Sequence, residues 1–232
     1  MIYYISDLHF FHRNIEDVDN RGFASLFEMH EYLISQWNNR VTDNDEVYII
    51  GDFSFGRGVE TWEVLSKLKG KLILVEGNHD YWYLEDREFV DTVFEEIVSY
   101  KEIIDSGRKV ILSHYPHLFY NHQFDKEMGD YCTYMLYGHV HDTYDEYLLN
   151  RAINCNKDLP REHSRGQFSP TPFQMINVFC LFSDYVPLTL DEWIVIDKKR
   201  REMIDKHQDI ISYDDWELLH QEVIIASKNG WK

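Results

Sequence analysis

Five short blocks of the chain carry side chains that can bind divalent cations. They are Asp7-Leu8-His9, Gly51-Asp52, Gly77-Asn78-His79-Asp80, Ser113-His114 and Gly138-His139-Val140-His141. The donors are carboxylates, imidazoles and one carboxamide, with no thiolate. Oxygen and nitrogen in that mixture suit manganese, iron, zinc, cobalt or nickel rather than copper(I) or an iron–sulfur cluster. Calcium would want more oxygens and fewer imidazoles. Side chains two residues apart in an extended segment point the same way, so Asp7 with His9, and His139 with His141, can each face one site. The blocks offer enough ligands for two cations, with one carboxylate expected to bridge them.

These blocks need a scaffold that brings distant segments together. Each follows a short run rich in β-formers: Ile2–Ser6, Glu46–Gly51, Lys71–Gly77, Lys109–Ser113 and Tyr134–Gly138. The runs are too short for ordinary helices and read as strands. Helical patterns lie between them. Ala24–Asn39 places Leu26, Phe27, His30, Leu33, Ile34 and Trp37 on one face, and Val59–Leu68 repeats the pattern with Val59, Trp62, Leu65 and Leu68, before a stop at Gly70. Alternating strands and helices predict an α/β protein. Ligands of such sheets bind beyond the carboxyl ends of the strands, where all five blocks fall. Gly51, Gly77 and Gly138 stand where strand must turn sharply into loop.

Beyond His141 the pattern changes. Cys155–Phe173 reads as a long loop, Gln174–Phe182 as another strand, and Thr189 with Glu192 as the capping box of a helix. Trp193, Ile196, Met203 and Ile204 would face the core from that helix. Ser212 with Asp215 opens a last helix that Gly230 ends. The chain is expected to be one domain over residues 1–232, with the core motifs in 1–145 and a C-terminal strand plus helices in 174–230.

D-x-H, G-D, G-N-H-D, a lone His after a strand and G-H-x-H, in that order, resemble the calcineurin-like metallophosphoesterase superfamily. The opening Ser6-Asp7-Leu8-His9-Phe10-Phe11-His12-Arg13-Asn14 is similar to a small bacterial and phage branch of it. The resemblance implies a four-layer fold, a two-sheet sandwich flanked by helices. It also implies roles: Asp7, His9 and His141 for a first metal, Asn78, His114 and His139 for a second, and Asp52 between them. His79 would face the leaving group, with Asp80 orienting it.

The implied reaction is hydrolysis of a phosphomonoester or phosphodiester at two divalent ions, manganese before iron, zinc, nickel or cobalt. Two such ions about 3.5–4 Å apart clamp the phosphoryl and attacking oxygens, and bound water ionises near pH ~7. A bridging hydroxide would then attack phosphorus in line. A proton given by His79 to the departing oxygen is typically worth about 10²–10⁴ in rate.

Residues around this set have plainer readings beside functional ones. His12 and Asn14 would touch phosphate or substrate, or pack a loop; His117 would contact substrate or lie on the surface. Lys157, Arg161, His163 and Arg165 form a basic cluster. Loops of this length are often lids, so Arg161 and Arg165 are expected to grip substrate or gate the cleft; the alternative is a solvated loop.

Composition limits the partners. Lys plus Arg number 23 and Asp plus Glu 41, for a net charge of -18. Such a surface repels a nucleic-acid backbone, so long duplex nucleic acid is an unfavoured substrate. A small phosphorylated compound, nucleotides included, stays open because bound cations reverse the local field. Cys132, Cys155 and Cys180 include no C-x-x-C pair and read as thiols in a reducing compartment. With no membrane-length apolar run and no leader pattern, a cytoplasmic location is expected. Two competitors remain: a non-catalytic protein-interaction module on the same fold, disfavoured by the intact ligand set, and an unrelated two-metal hydrolase such as an amidohydrolase, which commonly uses H-x-H at its first strand.

Overall fold

The computed structural model describes residues 1–86, 88, 92–206 and 213–231. Strands β1 (Ile2–Ile5), β2 (Glu46–Ile50), β3 (Lys71–Val75) and β4 (Phe94–Val98) form one parallel sheet in that order. Ile5 pairs with Ile49, and Ile50 with Val75, so the first three strands end level. The chain then makes β5 (Lys101–Asp105) and β6 (Arg108–Leu112), a small ribbon of β7 (Lys126–Glu127) and β8 (Asp130–Tyr131), and β9 (Thr133–Tyr137). A hairpin of β10 (Pro160–Ser164) and β11 (Gln167–Pro170) precedes β12 (Met175–Asn177). The second sheet runs β12-β9-β6-β5, with only β5 antiparallel to its neighbour.

Period-two alternation explains how the layers stack. Val110, Leu112 and Leu136 join Ile5, Ile49 and Leu74 in one buried core between the sheets. Their neighbours Ile111, Met135 and Tyr137 point the other way and pack with Ile153 of the Tyr144–Asn156 helix. The inner strands β6 and β9 are thus buried on both faces, as parallel strands require. Where the two sheets meet, the Ser6 amide donates to the Val178 carbonyl (3.0 Å) and the Cys180 amide to the Ser6 carbonyl (3.1 Å). The Leu190–Lys206 helix docks on β1 through Trp193, whose Nε1 donates to the Tyr4 carbonyl at 2.9 Å. The architecture is the predicted mixed α/β sandwich flanked by helices.

Several local expectations need correction. The first long helix spans Leu26–Arg40, capped by Ser25; Phe27 is 76% exposed, and Met29 joins Leu33 and Trp37 on the buried face. The next, Gly58–Leu65, leaves Val59 and Trp62 exposed and buries Thr61, Val64 and Leu65. In both cases the apolar positions admit two overlapping faces, and packing selects one. Cys155–Phe173 is not a long loop: the Tyr144–Asn156 helix enters it, and β10 and β11 occupy most of the rest. The run Gln174–Phe182 is strand only over Met175–Asn177, then a short 3₁₀ turn at Cys180–Ser183. The capping box at Thr189 forms, with the Thr189 amide donating to Glu192 Oε2 at 2.9 Å, and Trp193 and Ile204 are buried from that helix. The last helix covers Tyr213–Lys228; Ser212 lies outside the described residues. No described helix is long and apolar enough to cross a membrane.

Candidate metal centre

The carboxyl ends of β1, β2, β3, β6 and β9 deliver the five blocks to one crevice. Two groups of potential ligand atoms form there: Asp7, His9, Asp52 and His141, and Asp52, His114 and His139. Asp52 belongs to both. Its Oδ2 lies 3.7 Å from His9 Nε2 and 3.5 Å from His114 Nε2. Its Oδ1 accepts from the His79 amide at 2.8 Å, which fixes the carboxylate plane. Asn78 Oδ1 lies 3.0 Å from His114 Nε2, beside the second group. In the first group, His141 Nε2 is 3.4 Å from Asp7 Oδ1 and 2.9 Å from His9 Nε2.

The backbone is bent to achieve this. Asp7, His9, Asp52, His139 and His141 all have positive φ, between 47° and 70°. Residues with a Cβ rarely adopt that region, and such strain concentrates at functional sites. Glycines make the room. A Cβ on Gly138 would collide with the Asp7 carboxylate, and one on Gly51 would enter the His114 ring.

Two imidazoles are aimed by partners outside the groups. His114 Nδ1 lies 3.0 Å from the Ile50 carbonyl, which can only accept, so Nδ1 carries the proton and Nε2 faces the cluster. His141 Nδ1 meets Asp19 Oδ1 at 2.7 Å. Arg21 grips Asp19 through Nε and Nη2 and donates to the carbonyls of Asp7 (2.9 Å) and Leu8 (2.8 Å). Asp19 and Arg21 are fully buried. Neither stood out in the sequence, where they read as charges in a polar stretch.

Charge in this crevice is unbalanced. Burial opposes ionisation of Asp7, yet the His141 and His114 imidazoles and the Ser6 hydroxyl hold its pKa below the ordinary value. Burial also works against a charged His141, but the Asp19 and Asp7 carboxylates outweigh it and raise the pKa to about 10. For His114, Asp52 and Asp7 likewise overcome burial and raise it to about 9. His9 goes the other way, lowered by burial and then by its neighbour His141. The carboxylates thus draw positive charge into the site, and protons on two histidines supply it when nothing else does. His9 Nδ1 is buried without a hydrogen-bond partner, while its Nε2 abuts another ring nitrogen. A cation among these atoms would satisfy the lone pairs and the carboxylates together, so the donor set fits divalent metal ions.

The remaining expected residues divide. His79 is half-buried and its ring packs 4.4 Å from Phe55. His12 stacks on the same Phe55 at 4.1 Å and lines the cleft with His9, His79, His139 and His141. Asn14 is exposed at the start of the Ile15–Asp19 helix and does not line that cleft. His117 sits near Ser113 Oγ (3.4 Å), outside the cleft lining.

Arg161 and Arg165 belong to the β10–β11 hairpin and line no part of the cleft; Arg161 lies over the Phe119 and Phe124 rings instead. The hydrogen bonds of Asp80 go elsewhere than to the His79 ring. Its carboxylate accepts from the amides of Asp52 (2.9 Å), Gly77 (2.7 Å) and Phe53 (2.8 Å) and from the Tyr83 hydroxyl (2.7 Å). It ties the Asp52 turn to the Asn78 turn. Burial and the nearby Asp52 carboxylate push its pKa up to about 6.

Comparison with known proteins identifies the family. An uncharacterized protein of Methanocaldococcus jannaschii is 35% identical over 149 residues, covering 63% of this chain and 73% of its own. The Gene 66 protein of Mycobacterium phage L5 is 27% identical over 173 residues, covering 66% and 81%. A solved structure, a protein of unknown function from Aquifex aeolicus, covers 83% of this chain and 96% of its own, at 25% identity and a TM-score of 0.55. Residues 1–154, which hold all five blocks, match the calcineurin-like phosphoesterase superfamily domain, and the chain belongs to that superfamily.

Proposed function

We propose that this chain is a binuclear, metal-dependent phosphoesterase acting on small phosphorylated compounds, nucleotides among them. Asp7, His9 and His141 would hold one divalent ion, Asn78, His114 and His139 the other, and Asp52 both. Manganese is the first candidate, with iron, zinc, nickel and cobalt as alternatives. The observation that carries this reading is the membership of Asp52 in both ligand groups. When bound, two such ions supply Lewis-acid charge to a phosphoryl oxygen and lower the pKa of water.

The chain's own residues do the positioning. Asp52 is held in one plane by the His79 amide and by the Asp80 brace beneath it. Asp19 and the Ile50 carbonyl keep the Nδ1 protons of His141 and His114 away from the site. His79, braced on Phe55 at the cleft wall, would pass a proton to the departing ester oxygen.

The test is hydrolysis of aryl phosphate mono- and diesters with added manganese, alongside metal content by mass spectrometry. Asp52→Asn should lower kcat/KM at least about a hundredfold, the scale of losing a main electrostatic group, and reduce bound metal while the chain stays folded. Full activity in Asp52→Asn, or in metal-stripped protein, would overturn the proposal.

A further inference from the structure

The cleft above the candidate centre has a volume of about 350 Å³. Its walls beyond the candidate ligands are His12, Val18, Phe55, His79, Val140, Thr143 and Asp145. Among the described residues, no lysine or arginine lines it. The nearest cations along the chain are Arg13, exposed beside His12, and Arg57, held 4.8 Å over the Trp82 ring. Among the described residues, the one carboxylate on the rim outside the candidate ligands is Asp145, exposed in the first turn of its helix. Along another wall His12, Phe55 and His79 form a continuous aromatic face, with centroid spacings of 4.1 and 4.4 Å.

These walls meet the part of a substrate that does not sit on the centre. A phosphomonoester is close to dianionic at neutral pH, since its second pKa is near ~6. Its second charged oxygen would need a partner there, and an unpaired charge in a cleft is costly. The cleft offers the Phe55 ring, two valines, two imidazoles, the Thr143 hydroxyl and a like charge, but no lysine or arginine to match it. A phosphodiester carries one negative charge and, in place of the second, an ester group that can pack on Phe55. Resting on the phosphoesterase reading above, we infer that the cleft selects phosphodiesters, the centre taking the single charge and the Phe55 wall one ester group, with Asp145 disfavouring a second charge.

Bis(4-nitrophenyl) phosphate and 4-nitrophenyl phosphate share a leaving group and differ in this respect. The manganese-loaded full chain should give a kcat/KM at least about tenfold higher for the diester, a difference of one decade in transition-state binding. Asp145→Lys should narrow that ratio by about tenfold, with Asp145→Asn intermediate, as charge reversal at the rim changes discrimination. Calorimetry gives a readout apart from turnover. Inorganic phosphate should bind several-fold more tightly to manganese-loaded Asp145→Lys than to the parent, while diethyl phosphate changes less.

A monoester preference in the parent overturns the diester inference and leaves the phosphoesterase reading standing. Release from neither ester overturns both. Unchanged discrimination in Asp145→Lys, or selective loss of phosphate binding in Arg13→Ala, overturns the inference, because a second charge would then be served elsewhere.

Discussion

His141 and Asp19, 122 residues apart in the chain, meet at 2.7 Å between Nδ1 and Oδ1, both buried beneath the candidate centre. The contact fixes the ring so that Nε2 faces Asp7 and His9. Partners of this kind raise ligand basicity, and losing one typically costs about 10–100-fold in metal affinity. Asp19→Asn keeps the shape and removes the charge. It should weaken manganese binding, measured by calorimetry, by about that factor. Asp19→Ala should also lower the stability of the metal-free chain by about 3–5 kcal/mol, because Arg21 would be left as an unpaired buried charge. Metal affinity unchanged in both variants would refute a positioning role.

Asp80 braces two turns. Its four accepted hydrogen bonds join the segments that carry Asp52 and Asn78. In Asp80→Asn the carboxamide nitrogen must face a donor, and each buried group left unsatisfied costs about 1–3 kcal/mol. The variant should melt at lower temperature and bind metal more weakly than the parent. Calorimetric melting with and without manganese checks both parts. A variant with the parent's Tm would show that the brace contributes nothing.

The raised pKa values of His114, about 9, and His141, about 10, set the pH behaviour. Both lie above the ordinary histidine value of 6.5. Their protonated forms therefore stabilise the metal-free fold. That contribution is fully present below pH about 6.5. It is lost as pH rises through the folded values, so the Tm in EDTA should fall between pH about 7 and 10. The fall should be smaller in His141→Gln. Protons and metal ions compete for the same nitrogens, so manganese affinity should rise from pH about 6.5 to 8.5 with measurable proton release. Affinity independent of pH would contradict the assignment of these rings as ligands.

Arg161→Ala and Arg165→Ala should leave kcat and KM within about twofold of the parent, the usual range for surface changes away from a site. Arg161 rests on Phe119 and Phe124, and His163 stacks on Phe124 at 4.6 Å, so this edge of the hairpin packs on a neighbouring segment rather than on the cleft. A fivefold or larger rise in KM for either variant would restore a lid role for this hairpin.

The local part of the design is legible along the chain. Each of the five blocks follows a run of β-formers, and strand tips of an α/β sheet point into a common crevice, so Asp7, Asp52, Asn78, His114 and His139 could be placed from neighbouring residues alone. The capping box at Thr189 was legible for the same reason, since both partners lie within one turn. Tertiary structure decided whatever depends on contacts between distant segments. Only packing chose Met29 over Phe27 for the buried face of its helix. Only the folded chain brought Asp19 to His141 and turned Asp80 toward the amides of the Asp52 turn. The basic hairpin lies against Phe119 and Phe124 for a similar reason. A carboxylate's nearest donor depends on which surfaces exclude water together, and no spacing along the chain encodes that.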